Sequence, residues 1–171
     1  MNREKHISSA FDRDLETIQA LAVKMGGMVE AAITDAATAL ETRDEELAEE
    51  VRRRDRAIDE LEAHVNESAA RLIALRAPTA TDLRLVLSVI KIAAALERVG
   101  DYAKNIAKRT HQLSQMVVIP GTGLALRRMA TTVEGMLRDA LDSYVQRDAA
   151  LAADVRARLP RWPPRPCRPC G

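Results

Sequence analysis

Residues 43–54, Arg-Asp-Glu-Glu-Leu-Ala-Glu-Glu-Val-Arg-Arg-Arg, return at 147–158 as Arg-Asp-Ala-Ala-Leu-Ala-Ala-Asp-Val-Arg-Ala-Arg, with seven of twelve positions identical. Upstream, without a gap, Met25, Val29, Glu30, Asp35 and Ala36 meet Met129, Val133, Glu134, Asp139 and Ala140. Twelve identities in thirty at a constant offset of 104 residues mark one structural unit used twice. Whatever the first copy folds into, the second must begin to fold the same way. The correspondence then stops: the first copy continues Asp55-Arg-Ala-Ile-Asp59 and the second reads Leu159-Pro-Arg-Trp-Pro163.

The unit is helical. Leu15, Ile18, Leu21, Met25, Met28 or Val29, Ala32, Ala36 and Leu40 recur with the period of an α-helix. Ser9-Ala-Phe-Asp12 is a capping-box variant, so a first helix is expected from Ser9 to about Thr42. Gly26-Gly27 within it points to close helix packing there. Thr42-Arg-Asp-Glu45 is a second capping box, opening a helix through Leu47, Val51, Ile58, Leu61, Val65, Leu72 and Leu75. Pro78 ends it, because the residue before a proline is driven from the α region. A third helix is expected over 80–115, and a fourth after the breaker at 118–123, carrying Leu126, Met129, Val133, Met136 or Leu137, Leu141 and Val145. Aromatics are 2% of a chain that is 47% apolar, so the core must be Ala, Leu, Val, Ile and Met, a mixture that favours helices over strands. Short connections force antiparallel neighbours. The fold class is therefore all-α: an up-down-up three-helix bundle over residues 5–116, then the first one and a half helices of a second, repeated bundle over 122–158.

Residues 159–171 stand apart. They hold both cysteines (Cys167, Cys170), the single Trp162, five of the seven prolines and three arginines, and no acid. The sequence predicts a change of reading frame after about Arg158; the competing reading is a disordered tail serving a partner that reads proline-rich segments. Without those three arginines the body carries 23 Lys and Arg against 25 acids. An acidic, aromatic-poor body offers neither the basic footprint nor the stacking platforms of a nucleic-acid binder. No run approaches the roughly 18 apolar residues of a membrane span, and Met1–His6 lacks the apolar segment of a secretory signal, so a cytoplasmic protein is expected. Cys167-Arg-Pro-Cys170 has no second pair to complete a zinc site.

The chemistry-bearing residues lie on the third helix. Leu83, Leu87, Ile90, Ala94, Glu97, Asp101 and Asn105 share one face, so two carboxylates one turn apart continue an apolar stripe. Such a pair repels and needs a counter-charge: arginine, lysine or a metal ion. Folding helix 3 back about positions 78–79 sets Glu97 opposite about 60 and Asp101 opposite about 56, where Asp55, Asp59 and Glu60 lie. Reflecting again about residue 43 brings Glu30 to the same level. Acids from three helices would make an oxygen-rich site suited to magnesium, manganese, calcium or iron. The plain alternative is a set of salt bridges with Arg52, Arg53, Arg54 and Arg56. His6, His64 and His111 are scattered with no Glu-x-x-His, which disfavours a ferritin-like di-iron site, and neither a phosphate-binding loop nor a serine-nucleophile motif occurs. No enzyme is expected.

Leu72-Ile-Ala-Leu-Arg-Ala-Pro-Thr-Ala-Thr-Asp-Leu-Arg84 and Leu96-Glu-Arg-Val-Gly-Asp-Tyr-Ala-Lys-Asn-Ile-Ala-Lys108 closely resemble the PhoU family of phosphate-uptake regulators. His6-Ile-Ser-Ser-Ala-Phe-Asp12 and Asp55-Arg-Ala-Ile-Asp-Glu-Leu-Glu62 fit the same pattern. The resemblance implies two tandem three-helix bundles, commonly dimeric, and an E(D)xxxD motif that binds iron, zinc or other metals, here Glu97 and Asp101. It further implies a non-enzymatic negative regulator of the phosphate-starvation response. Such a protein would be an adaptor contacting the ATPase of the phosphate ABC transporter and the sensor histidine kinase, meeting the membrane only through them.

The alternative function is an oligomerising helical scaffold with neither metal nor phosphate role; a di-metal, oxygen-activating bundle ranks third. If the second bundle is incomplete, residues 122–158 should expose an unpaired apolar face and drive association.

Overall fold

The computed structural model describes residues 2–117 and 120–159. All regular structure among them is helical: α1 (Asn2–Thr42), α2 (Glu45–Arg76), α3 (Ala80–Ser114), α4 (Thr122–Gln146) and α5 (Ala149–Arg158). Helices α1, α2 and α3 pack on one another up-down-up, and α4 lies against α1 with α5 folded back on it. No helix among the described residues is long and apolar enough to cross a membrane. The tail from 160 onward, with its expected change of frame, lies outside the described residues.

Two helix starts differ from the sequence reading. α1 does not begin at Ser9 but continues back to Asn2, a stretch without glycine or proline to stop it. At the first corner Thr42 is not the cap: its hydroxyl donates to the Thr38 carbonyl at 2.9 Å. Asp44 caps α2 instead, its carboxylate accepting the Leu47 N–H at 2.9 Å, while Arg43 takes a left-handed φ of 59° that reverses the chain. α2 ends at Ala77, also left-handed, which donates its N–H to the Ile73 carbonyl before Pro78.

The core is aliphatic. Met25, Val29 and Ala36 of α1, Val51, Ile58 and Val65 of α2, and Val86, Val89 and Ala93 of α3 are buried. Gly100 of α3 faces α2 so closely that a Cβ there would sit 3.2 Å from Ile58 Cδ1 and 3.7 Å from Asp55 Oδ1. That close approach sets the level at which the polar side chains of α2 and α3 meet.

The repeat is visible in atomic detail. Arg147 is left-handed like Arg43, and Asp148 caps α5 through the Leu151 N–H as Asp44 caps α2. Arg54 pairs with Asp35 at 2.7 Å, and 104 residues on Arg158 pairs with Asp139 at 2.5 Å. α1 and α4 run antiparallel: Glu30 meets Arg138 at 2.9 Å, Thr34 donates to Glu134 at 3.0 Å, and Gly26 lies so close under Leu141 that a Cβ would overlap it. Gly27 has no such neighbour, so the tight packing belongs to Gly26 alone. The copies differ in cover. Met25 and Val29 are fully buried, whereas their counterparts Met129 and Val133 are 64% and 47% exposed.

Candidate functional site

Asp55 is the buried carboxylate of α2, 4% exposed, placed one turn before Ile58 where Gly100 lets α3 approach. Its counter-charge comes from α3. Lys104 Nζ lies 2.5 Å from Asp55 Oδ2 and 3.1 Å from Asp101 Oδ1, so one ammonium bridges two helices. Glu97, one turn before Asp101, and Asp59, one turn after Asp55, complete the group. Burial, then the charges of Asp101 and Asp59, raise the Glu97 carboxyl above the ordinary glutamate value. Asp59 is raised by burial and by Asp55, against the pull of Lys104. Lys104 itself is held above the usual lysine range by its bonds to Asp55 and Asp101.

Lys104 thus bridges Asp55 and Asp101, while burial first and the neighbouring carboxylates second raise Glu97 and Asp59. The reflection about the α2–α3 turn set Asp55, Asp59 and Glu60 opposite Glu97 and Asp101: Asp55 and Asp101 share Lys104, the charges of Asp59 and Glu97 reach this pair, and Glu60 pairs with Arg56 instead. Glu30 does not join them; it stands on the α1–α4 contact with Arg138. The arginines of α2 do not neutralise the group either: Arg52 pairs with Glu49, Arg54 with Asp35 and Glu50, and Arg56 with Glu60. Sequence reasoning passed over Lys104, although its position three residues after Asp101 puts it on the same side of α3. It also passed over Glu62, whose charge pushes both Asp59 and Glu97 up.

An all-oxygen donor set of this kind suits hard and borderline cations better than zinc, which prefers nitrogen and sulfur. As the side chains stand, no three His, Cys, Asp or Glu among the described residues converge closely enough to enclose an ion. Lys104 occupies the position of positive charge between Asp55 and Asp101.

A family model described as the PhoU domain matches residues 22–110 and 126–159, most of the chain and both copies of the repeat. The chain belongs to the PhoU domain family. A phosphate-specific transport system accessory protein PhoU homolog from Pseudomonas putida is 41% identical over 150 residues, covering 88% of this chain and 59% of that protein. The accessory protein PhoU of Escherichia coli is 37% identical over 152 residues, with 86% and 61% covered. The chain therefore spans about three fifths of the length of the curated relatives it matches. The crystal structure of PhoU from Pseudomonas aeruginosa superposes with a TM-score of 0.80 at 37% identity, covering 84% of this chain and 69% of that one. The Streptococcus pneumoniae PhoU structure gives 0.79 at 30% identity, with 86% and 69% covered. The PhoU fold thus accounts for the bundle, for the α4–α5 hairpin and for the helix that carries Glu97 and Asp101.

Proposed function

We propose that this chain is a PhoU-type accessory regulator that restrains phosphate uptake and the phosphate-starvation response. It works in the cytoplasm as a non-enzymatic adaptor between the ATPase of a phosphate ABC transporter and a sensor histidine kinase, and it forms a homodimer. The observation that carries this reading is the match to phosphate-specific transport accessory proteins across 88% of the chain.

The reading includes a cation, iron, zinc, magnesium or manganese, held by Glu97 and Asp101 with Asp55 and Asp59 beside them. The excess of carboxylates over the single Lys104 supports it: a divalent cation would offset the burial and the neighbouring charges that lift Glu97 and Asp59. Asp55 and Asp101 can turn to a cation only when Lys104 releases them. A second reading, an oligomerising helical scaffold without metal, is favoured by the same Lys104, which already neutralises the buried Asp55.

The test is complementation. In a bacterium lacking its own PhoU, a phosphate-starvation reporter is constitutively on; this chain should lower it in phosphate-rich medium, and the Glu97→Ala/Asp101→Ala variant should not. A chain that folds, accumulates and leaves the reporter untouched would reject the regulatory role. Equal repression by the variant would reject only the cation.

A further inference from the structure

The outward face of α3 carries a row of exposed cations. Apart from Lys104, the lysines and arginines of α3 are unopposed: Arg84, Lys91, Arg98, Lys108 and Arg109 have no ion-pair partner among the described residues. The three acids of α3, Asp82, Glu97 and Asp101, are all half-buried, the last two on the flank turned to α2. This occurs in a body with more acids than bases.

The cations are also in register. Arg84, Lys91 and Arg98 recur every seven residues, which on an α-helix is a single row about 10 Å apart. Beside that row, within about 60° of it on either side, the helix exposes Leu87 (42%), Tyr102 (61%) and Ile106 (41%). A helix face that sets exposed apolar side chains beside a heptad row of cations is what one helix offers to another. Tyrosine and arginine are the residues that such contacts favour. The rest of this chain does not cover the row, since α4 packs on α1 and α5 on α4.

We infer that the outer face of α3, through Arg84, Lys91, Arg98, Leu87, Tyr102 and Ile106, docks an amphipathic helix of a partner protein whose contact face alternates apolar and acidic side chains. Charge complementarity selects the acidic partner. The face is confined to one helix, with three bulky apolar side chains spread along about six turns, and so suits a helix over a flat anionic membrane. The surface stands on α3 alone and does not rest on the phosphate or cation reading.

The experiment uses the full chain and a fluorescent synthetic four-heptad helical peptide with Leu and Glu at the two inward positions of each heptad. A counterpart carries Lys in place of Glu, and phosphatidylglycerol vesicles form a third arm. Anisotropy should show saturable, salt-sensitive binding of the Glu peptide only. Arg84→Glu/Lys91→Glu/Arg98→Glu should weaken it about tenfold or more, and Tyr102→Ala several-fold. Both variants alter exposed side chains, so their melting curves should overlay the parent's. Three results would overturn the inference: no preference for the Glu peptide, binding unmoved by the charge reversal, or capture by the vesicles without capture of the peptide.

Discussion

Lys104 of α3 reaches Asp55 of α2 with its ammonium 2.5 Å from the buried carboxylate, and this pair ties together the two helices that carry the acidic group. Lys104 keeps 39% of its side chain exposed while Asp55 keeps 5%, so the weight of the interaction falls on the aspartate. Removing the lysine leaves a buried charge with no partner. Lys104→Met should cost about 1–3 kcal/mol, below the figure for a fully buried pair because solvent reaches the ammonium. Urea denaturation reads this directly. A variant as stable as the parent would mean that Asp55 finds another donor or water.

The same substitution should sharpen the affinity for divalent cations. With Lys104 gone, Asp55, Asp59, Glu97 and Asp101 have no resident counter-charge, and Mn2+ binding followed by calorimetry should tighten about tenfold or more. Added Mn2+ should also raise the urea midpoint of Lys104→Met more than that of the parent. Unchanged binding in the variant would count against a cation at this place.

Glu97 and Asp59 give the pH dependence its sign. Both carboxyls are raised in the folded state, so the stability they contribute is complete below their ordinary values of 4.5 and 3.8 and is lost as pH rises through the raised ones. At pH 7 Glu97→Gln and Asp59→Asn should therefore be more stable than the parent, and the advantage should vanish in acid. Glu45 works the other way: its bonds from Ser114 and His111 lower it, so its contribution is present above 4.5 and fades as pH falls through the lowered value. Denaturation midpoints between pH 3 and 8 would separate the two behaviours, and a Glu97→Gln variant less stable at pH 7 would contradict the electrostatic account.

The two aspartate caps are equivalent in geometry and unequal in consequence. Asp44→Ala removes the Leu47 bond at the start of a core helix and should lower global stability by about 1 kcal/mol. Asp148→Ala removes the Leu151 bond from a ten-residue helix that packs on α4 alone. Its effect should be local fraying of α5, seen as faster amide exchange at 151–155 with little shift in the melting midpoint.

Met129 and Val133 occupy the positions that Met25 and Val29 bury in the first copy. An apolar face of this kind promotes association, so the chain should self-associate with rising concentration in sedimentation velocity. Met129→Glu/Val133→Glu should suppress that without lowering stability, whereas Met25→Glu should unfold the bundle. A concentration-independent monomer would show that the face is tolerated in water.

The helices were legible because aliphatic side chains at helical spacing leave little alternative, and the 104-residue offset announced the second corner. The corner chemistry was less so. The sequence read Thr42 as the cap, and the left-handed turn at Arg43 makes Asp44 serve instead. At the site, reflection about a short turn fixes height along α2 and α3, which is why Asp55 and Asp101 were placed together. It does not fix rotation about a helix axis, so Glu30, at the right height, points to α4 instead. Lys104 escaped notice because its long stem carries the charge away from its own position to the neighbouring helix.

The contact between α1 and α4 is two-fold in character. Glu30 and Glu134 are equivalent positions, as are Thr34 and Arg138, and the observed contacts are Glu30 with Arg138 and Thr34 with Glu134. Each half thus offers its partner the same patch that it receives, the hallmark of an isologous two-fold interface. Such a contact is what two identical single-bundle molecules make on pairing face to face, and joining them end to end preserves it within one chain. Within one chain the halves need not match, and the position that is threonine in the first copy is arginine in the second.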